Sequence, residues 1–238
     1  MAWIERDHAD VDALTSEVAR DLQDACRDAI RARGAAWVAL AGGRTPLPVY
    51  ARLAAAGLRG TISAIPTDER CVPHAHPACN LRALREAFAG NDAIFANGLT
   101  VDDGNETVSL AQARTLLALN AQPFDFVLLG MGADGHFASL FPGADNLAEG
   151  LAIDSGLDAI ATLPDPLPPE APFARISLTL PRLLRARSIH LVVTGDDKRR
   201  VLRQAQQQDP GHAARGAGVP VAALLHARDH HVQVHWSP

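Results

Sequence analysis

Hydrophobic positions along the chain follow two periods. From Val11 to Arg33, Leu14, Val18, Leu22, Cys26 and Ile30 recur every four residues, the spacing of one face of an amphipathic helix, and Gly34 supplies the break that closes it. Short apolar runs predict strands at Ala36–Ala41, Thr61–Ile65, Phe124–Leu129, Arg175–Leu180 and Ile189–Thr194. His231–Trp236 alternates in the manner of an edge strand. Helical segments are predicted between them at Leu47–Ala56, Pro77–Phe88, Thr107–Leu119 and Asp197–Gln208. Strands alternating with helices predict one α/β domain over residues 1–238, an open, mostly parallel, twisted, Rossmann-like sheet with helices on both faces. The Pro-rich stretch Leu163–Pro172 reads as a loop inside that domain, because strand pattern resumes directly after it.

Composition narrows the function classes. With 238 residues, 47% hydrophobic and 21% charged, the chain has ample apolar material for a core. A formal net charge of −5 argues against a nucleic-acid or anionic-membrane surface, both of which want a basic face. No run of about 18 apolar residues exists, so no membrane span is expected. The opening Met-Ala-Trp-Ile-Glu-Arg-Asp lacks the basic and apolar regions of a secretion signal. Three cysteines, an odd count, fit a reducing cytoplasm better than a disulfide scaffold. Cys71-x-x-His74-x-His76-x-x-Cys79 has metal-box spacing, but ligands so close on one proline-stiffened loop rarely close a tetrahedron, and no metal is expected. Lys198 is the only lysine in an arginine-rich chain, which raises the question of what its compact ammonium does that guanidinium cannot.

The richest segment begins at Phe124. The predicted strand breaks into a loop holding Gly130, Gly132 and Gly135, with the acid Asp134 and the imidazole His136 just past the strand end. Glycines there permit positive φ and close backbone approach, and a titratable group at that edge of an α/β sheet is a candidate for proton chemistry. The loop also spells Gly-x-Gly-x-x-Gly, with Asp154 at the distance of a ribose-binding acid. A dinucleotide site needs a helix to follow at once, and Pro142-Gly143 interrupts the chain instead. Ser139 sits in Ala-Ser-Leu rather than a nucleophile elbow, and is expected to cap or pack locally. The remaining histidines His74, His76, His190, His226, His230, His231 and His235 have no partner spacing and read as surface or core residues.

Two strand ends look built for a phosphate. Ala41-Gly42-Gly43-Arg44-Thr45-Pro46 offers backbone amides, an arginine, Thr45 as a cap and Pro46 for the first helical turn. It lacks the ending of a Walker loop, which argues against a nucleoside triphosphate. Thr194-Gly-Asp-Asp-Lys198 repeats the arrangement, with an Asp capping the next helix and Lys198 in its first turn. There Lys198 either meets an anion or is a solvated lysine balanced by Asp196 and Asp197. Arg175 is either a third cation or a surface charge. After the second predicted strand, Thr67-Asp68-Glu69-Arg70 opens a loop. Asp68 could orient a catalytic group or hold substrate hydroxyls, and Arg70 could stabilise an oxyanion, or the group could be a salt-linked anchor.

Taken together these segments resemble the 6-phosphogluconolactonase family. The matching residues are Gly42-Gly43-x-Thr45-Pro46, Asp68-Glu69-Arg70-x-Val72-Pro73, His76-Pro77-x-x-Asn80, Gly130-x-Gly132-x-Asp134-Gly135-His136-x-Ala138-Ser139-Leu140-Phe141-Pro142-Gly143, Arg175-Ile-Ser-Leu-Thr179 and Gly195-x-x-Lys198. They run in the expected order over nearly the whole chain. The resemblance implies a sugar-phosphate isomerase-like sheet and hydrolysis of 6-phospho-D-glucono-1,5-lactone, with no cofactor. Ala41 and Arg44 depart from the serines usual in the phosphate loop. The related glucosamine-6-phosphate deaminases share the Asp-Gly-His loop but carry a glutamate where this chain has Phe141, so the acid that assists ring opening is missing.

On this reading His136 is the general base and Arg70 or loop amides hold the oxyanion. Either Asp68 or Asp134 orients the imidazole. Gly42, Gly43, Arg44, Thr45, Arg175 and Lys198 take the phosphate, while Asn80 and Gly132 complete the substrate site. A non-catalytic sugar-phosphate sensor is the alternative from another class, and no DNA-binding arm accompanies it. The expected partner is the small-molecule lactone, with no nucleic acid or membrane, and the chain is expected to be a monomer or weak homodimer.

Overall fold

A computed structural model describes residues 3–165, 167, 171–209, 212, 218–227 and 230–238. The first half runs β1 (Trp3–Asp7), α1 (Val11–Arg33), β2 (Ala35–Leu40), α2 (Leu47–Ala55), β3 (Thr61–Pro66), β4 (Asp68–Arg70), α3 (Asn80–Ala87), β5 (Ile94–Ala96), α4 (Glu106–Leu119) and β6 (Phe126–Gly130). The second half runs α5 (Leu147–Leu151), β7 (Ala159–Thr162), β8 (Arg175–Leu178), α6 (Leu180–Leu184), β9 (Ile189–Thr194), α7 (Asp196–Gln207), α8 (Val221–Leu225) and β10 (Val232–Ser237). The long helix forms where the four-residue spacing predicts it. Asp10 accepts from Ala13 N at 2.8 Å at one end, and Gly34, with φ 81°, closes the other.

Seven strands form one parallel sheet in the order β1-β10-β9-β6-β2-β3-β5. Period-two alternation sends side chains to two cores. Ala36, Val38, Leu40, Phe126 and Leu128 pack with Leu14, Val18 and Leu22 of α1. Trp37, Ala39, Val127 and Leu129 face the opposite way, toward Leu117 of α4, Leu202 of α7 and Leu224 of α8. Such double-sided burial is why these strands read as continuous apolar runs.

The order of strands fixes where a ligand can sit. From β2 the chain steps outward through β3 to β5, then returns to lay β6 on the other side of β2. The carboxyl ends of β2 and β6 therefore diverge into a crevice at the reversal, the place where open α/β sheets take ligands.

Four expectations need correction. First, β10 is internal, between β1 and β9; the edge is β1, a five-residue strand that the hydrophobic pattern does not announce. Of the polar positions that suggested an edge, His235 is fully enclosed and Gln233 half-buried. Second, Arg175–Leu180 is not one strand of the parallel sheet. Its strand stops at Leu178, Thr179 caps α6, and β8 lies at the centre of a separate three-stranded antiparallel sheet, β4-β8-β7. Third, Asp68–Arg70 is a strand of that small sheet rather than the start of a loop. Fourth, neither predicted side-chain cap forms: α2 begins at Pro46 and α7 at Gly195, without a capping bond from Thr45 or an Asp. The reading of 163–172 as a loop falls in part on residues outside those described. No helix among the described residues is long and apolar enough to cross a membrane.

Candidate active site

Three parallel strands deliver their carboxyl ends to one cavity of about 400 Å³. From β2 come Gly42, Gly43, Arg44 and Thr45; from β6 come Gly130, Gly132 and His136; beyond β9 stand Thr194 and Lys198. The small sheet adds Asp68, Arg70 and Arg175, and Asn80 opens α3 beside them. Apart from Asp134, every residue predicted for the site lines this cavity. Asp134 stands behind the imidazole, touching His136. Four cations against one lining carboxylate make the cavity positive although the chain is net negative.

The loop after β6 is shaped around its imidazole. Asp134 Oδ1 lies 2.6 Å from His136 Nδ1, and Gly132 N donates to His136 O at 2.9 Å. A Cβ on Gly132 would stand 2.2 Å from His136 Nδ1 and 2.5 Å from Asp134 Oδ1, so the pair can close only over a glycine. Gly135 needs its φ of 78° and the absence of a Cβ, which would fall 1.8 Å from Val219 Cγ1. Ala138, at φ 48°, is the one non-glycine residue with positive φ among the described residues, and this strain lies beside the cavity. The face of the His136 ring rests on Phe141, with centroids 4.4 Å apart. Burial opposes ionisation of Asp134, but the hydrogen bond and charge of His136 prevail and hold its carboxyl below the usual range.

Of the two acids, Asp134 is the one that contacts the imidazole. Asp68 instead accepts from Ser139 Oγ at 2.5 Å, while the Ser139 amide donates to Ser177 Oγ at 3.1 Å. Ser139 is thus more than local packing: it pins the His136 loop to the small sheet. Neither partner is visible to sequence reasoning, because the contact spans 71 positions. Glu69 is fully buried and accepts from the amides of Asn80 at 2.8 Å and Leu81 at 2.7 Å, capping α3 from a distance. Burial raises its pKa, and those amides work against the rise. With α3 held, Asn80 Nδ2 donates to Asp68 O at 2.7 Å, and its side chain fills the space a Cβ on Gly42 would need, 2.1 Å from Asn80 Oδ1.

The cations divide into two kinds. Arg175 is buried rather than a surface charge, and the antiparallel register sets it directly opposite Arg70. Like charges in that position repel unless an anion lies between them. Arg175 NH1 and Arg70 Nε are both buried without a partner among the described residues, although Arg175 donates to Ala171 O and Arg70 to Ala78 O. Burial, then the Arg70 charge, lowers Arg175 to about 10, which leaves it charged near neutrality. Lys198 and Arg44 are the second kind. Their side chains enter no ion pair or hydrogen bond among the described residues, and Asp197 pairs with Arg200 rather than with Lys198. The double-glycine turn, the start of α2 and these free cations meet at one cavity, an arrangement with the donors and charge to hold a dianion.

Two alternative sites dissolve. The glycine loop runs into the tight Phe137–Leu140 bridge instead of a helix, which removes the dinucleotide geometry. In the Cys71–Cys79 loop three of the four candidate ligands turn elsewhere: Cys79 Sγ to Glu69, His74 Nε2 to Thr100 O, and His76 Nδ1 to the amide of Ala78.

Comparison with known proteins follows from this geometry. Residues 9–236 match the family of glucosamine-6-phosphate isomerases and 6-phosphogluconolactonases. The 6-phosphogluconolactonase of Pseudomonas putida is 33% identical over 234 residues, covering 97% of this chain and 91% of its own. That of Mesorhizobium japonicum is 34% identical over 231 residues, covering 94% and 91%. A solved 6-phosphogluconolactonase structure from Shewanella baltica superimposes with a TM-score of 0.86 at 30% identity, covering 99% of this chain and 98% of that one.

Proposed function

The chain belongs to the glucosamine-6-phosphate isomerase/6-phosphogluconolactonase family, and from that premise we propose that it hydrolyses 6-phospho-D-glucono-1,5-lactone to 6-phospho-D-gluconate, a step of the oxidative pentose phosphate pathway. The observation that carries this reading is a single cavity with the His136–Asp134 pair on one strand end and the double-glycine turn with Lys198 on its neighbours. One sugar phosphate can touch both.

The 6-phosphate accepts from amides of Gly42–Thr45 and pairs with Lys198, Arg44 and Arg175. Asp134 accepts from Nδ1–H of His136, which fixes the tautomer and leaves Nε2 as the base. Nε2 takes a proton from water as its oxygen bonds to C1. The tetrahedral oxyanion is stabilised by Arg70, the cross-strand neighbour of Arg175. Collapse re-forms the carbonyl, breaks the bond from C1 to the ring oxygen, and Nε2–H returns its proton to that oxygen. One imidazole serves both steps. Asn80 and Gly132 act through shape, the first by filling the space behind Gly42 and the second by letting the acid and imidazole meet.

Deaminase chemistry is disfavoured by Phe141, whose phenyl ring covers His136 where the resembling deaminases place a carboxylate. We further infer that the enzyme works in the cytoplasm as a monomer or weak homodimer, which sedimentation would check. The deciding experiment is a pH-stat assay with freshly made lactone. Acid release well above the spontaneous rate is expected, and no ammonia from glucosamine 6-phosphate. A rate equal to the spontaneous one would overturn the assignment.

A further inference from the structure

Three imidazoles form a row beneath α1, running from His190 on β9 across His235 on β10 to His8, just past β1. His190 Nδ1 and His235 Nε2 are 2.9 Å apart, and His235 Nδ1 and His8 Nε2 are 3.1 Å apart. Asp21, one turn beyond Glu17 on α1, brings Oδ2 to 3.9 Å from His190 Nδ1. We propose that His190, His235 and Asp21 form a binding site for one divalent transition-metal ion of the zinc class, with water as the fourth ligand.

Geometry and donor chemistry both support it. Two imidazole nitrogens and one carboxylate oxygen are the donor set of an open tetrahedral zinc site. The three ligand atoms lie within 4.8 Å of one another. Metal–nitrogen bonds of about 2.0–2.1 Å at tetrahedral angles place nitrogens about 3.3 Å apart, so the rings need to separate by only a few tenths of an ångström. Asp21 closes the remaining gap from a side chain that is 20% exposed, which also gives an ion its way in.

The outer partners are already present. A ligating imidazole donates its other N–H to an acceptor that fixes its tautomer. His190 Nε2 is 2.7 Å from Ser188 Oγ, and His235 Nδ1 faces His8 Nε2. His8 in turn points Nδ1 toward Glu17 Oε2 at 3.7 Å. Burial, and then each ring's charged neighbours, hold His190 and His235 neutral, the form that binds metal. The opposing feature is Arg6, whose NH1 lies 3.5 Å from the same Asp21 oxygen. Glu17, the closer partner of Arg6 at 2.5 Å, and Gln233 at 3.0 Å can retain it when an ion arrives. The ligands come from β9, β10 and α1, so the ion would tie three elements together behind the cavity, with His190 level with Leu128 and His235 level with Val192, both of which line it.

The test is titration of untagged, metal-stripped, full-length protein with Zn²⁺ and Co²⁺. One ion per chain, an unfolding midpoint that climbs with the logarithm of metal concentration, and a tetrahedral Co²⁺ absorption band are expected. Asp21→Asn, at a partly exposed helix position, should weaken binding at least tenfold, and His235→Gln should abolish the band. If His235→Gln fails to fold, ¹⁵N resonances of the wild-type histidines decide: Zn²⁺ should leave the His190 proton on Nε2 and none on Nδ1. Absence of both the midpoint shift and the band in wild type would overturn the proposal, as would unchanged affinity in Asp21→Asn or histidine resonances that ignore Zn²⁺.

Discussion

Two histidine environments lie on one sheet. His136, beyond the end of β6, has a carboxylate on one nitrogen, a side chain 29% exposed, and a cavity in front of it. His190 and His235, on β9 and β10, are buried and spend their nitrogens on each other, on His8 and on Ser188. The first setting presents an imidazole to a cavity, and the second encloses two of them inside the protein. Burial disfavours the charged form of an imidazole, and it dominates in the second place. Burial, followed by the charge of His8, pushes His235 down to about 4, and burial with the His235 charge pushes His190 further in the same direction.

That contrast can be broken most sharply at His136. His136→Ala should lower kcat by about 10²–10⁴-fold while leaving the urea-unfolding midpoint nearly unchanged. Near-normal turnover by a folded variant would remove it as the base. His235→Ala should do the reverse. It strips two ring–ring hydrogen bonds from a closed interior and costs about 2–4 kcal/mol in denaturant unfolding, with kcat retained in the folded fraction. Lys198→Ala should act on binding alone, raising KM about tenfold to a hundredfold for loss of a charge-assisted contact to phosphate. An unchanged KM would take Lys198 out of the phosphate receptacle.

The smallest effect is read from pH. The folded-state pKa values of His190 and His235 lie below the ordinary 6.5, so the unfolded chain takes up protons first as pH falls. Their contribution to stability is constant above about 6.5 and is lost progressively as pH falls below it, down to about 4 for His235 and about 2 for His190. Unfolding curves collected at a series of pH values should show that loss in wild type and a shallower one in His235→Ala.

Reading the sequence went far in some regions and stopped in others, for identifiable reasons. The apolar runs behind β2 and β6 were legible because burial on both faces leaves no polar position to confuse the pattern. The glycine-framed loop was legible because Gly132 and Gly135 stand where no side chain fits. β4, β5 and β7 were not: at three or four residues each they carry too little pattern to register. β10 misled because His235 joins a buried hydrogen-bonded row instead of facing water. That row needs His8, His190 and His235, three rings from distant parts of the chain whose spacing says nothing about their meeting.

Local chemistry, then, resides in the order of residues: which strand ends in glycines, which turn holds an acid two places before an imidazole, which helix opens on the sole lysine. Each of those depends on neighbours a few positions away, and short-range sterics and capping dictate them without outside help. Selection between partners did not reside there. Arg175 buried opposite Arg70 and Ser139 tied to Asp68 were decided when β6 returned beside β2 and the small antiparallel sheet formed beside the crevice. Contacts between residues dozens of positions apart depend on that topology, and only the folded chain brings them within bonding distance.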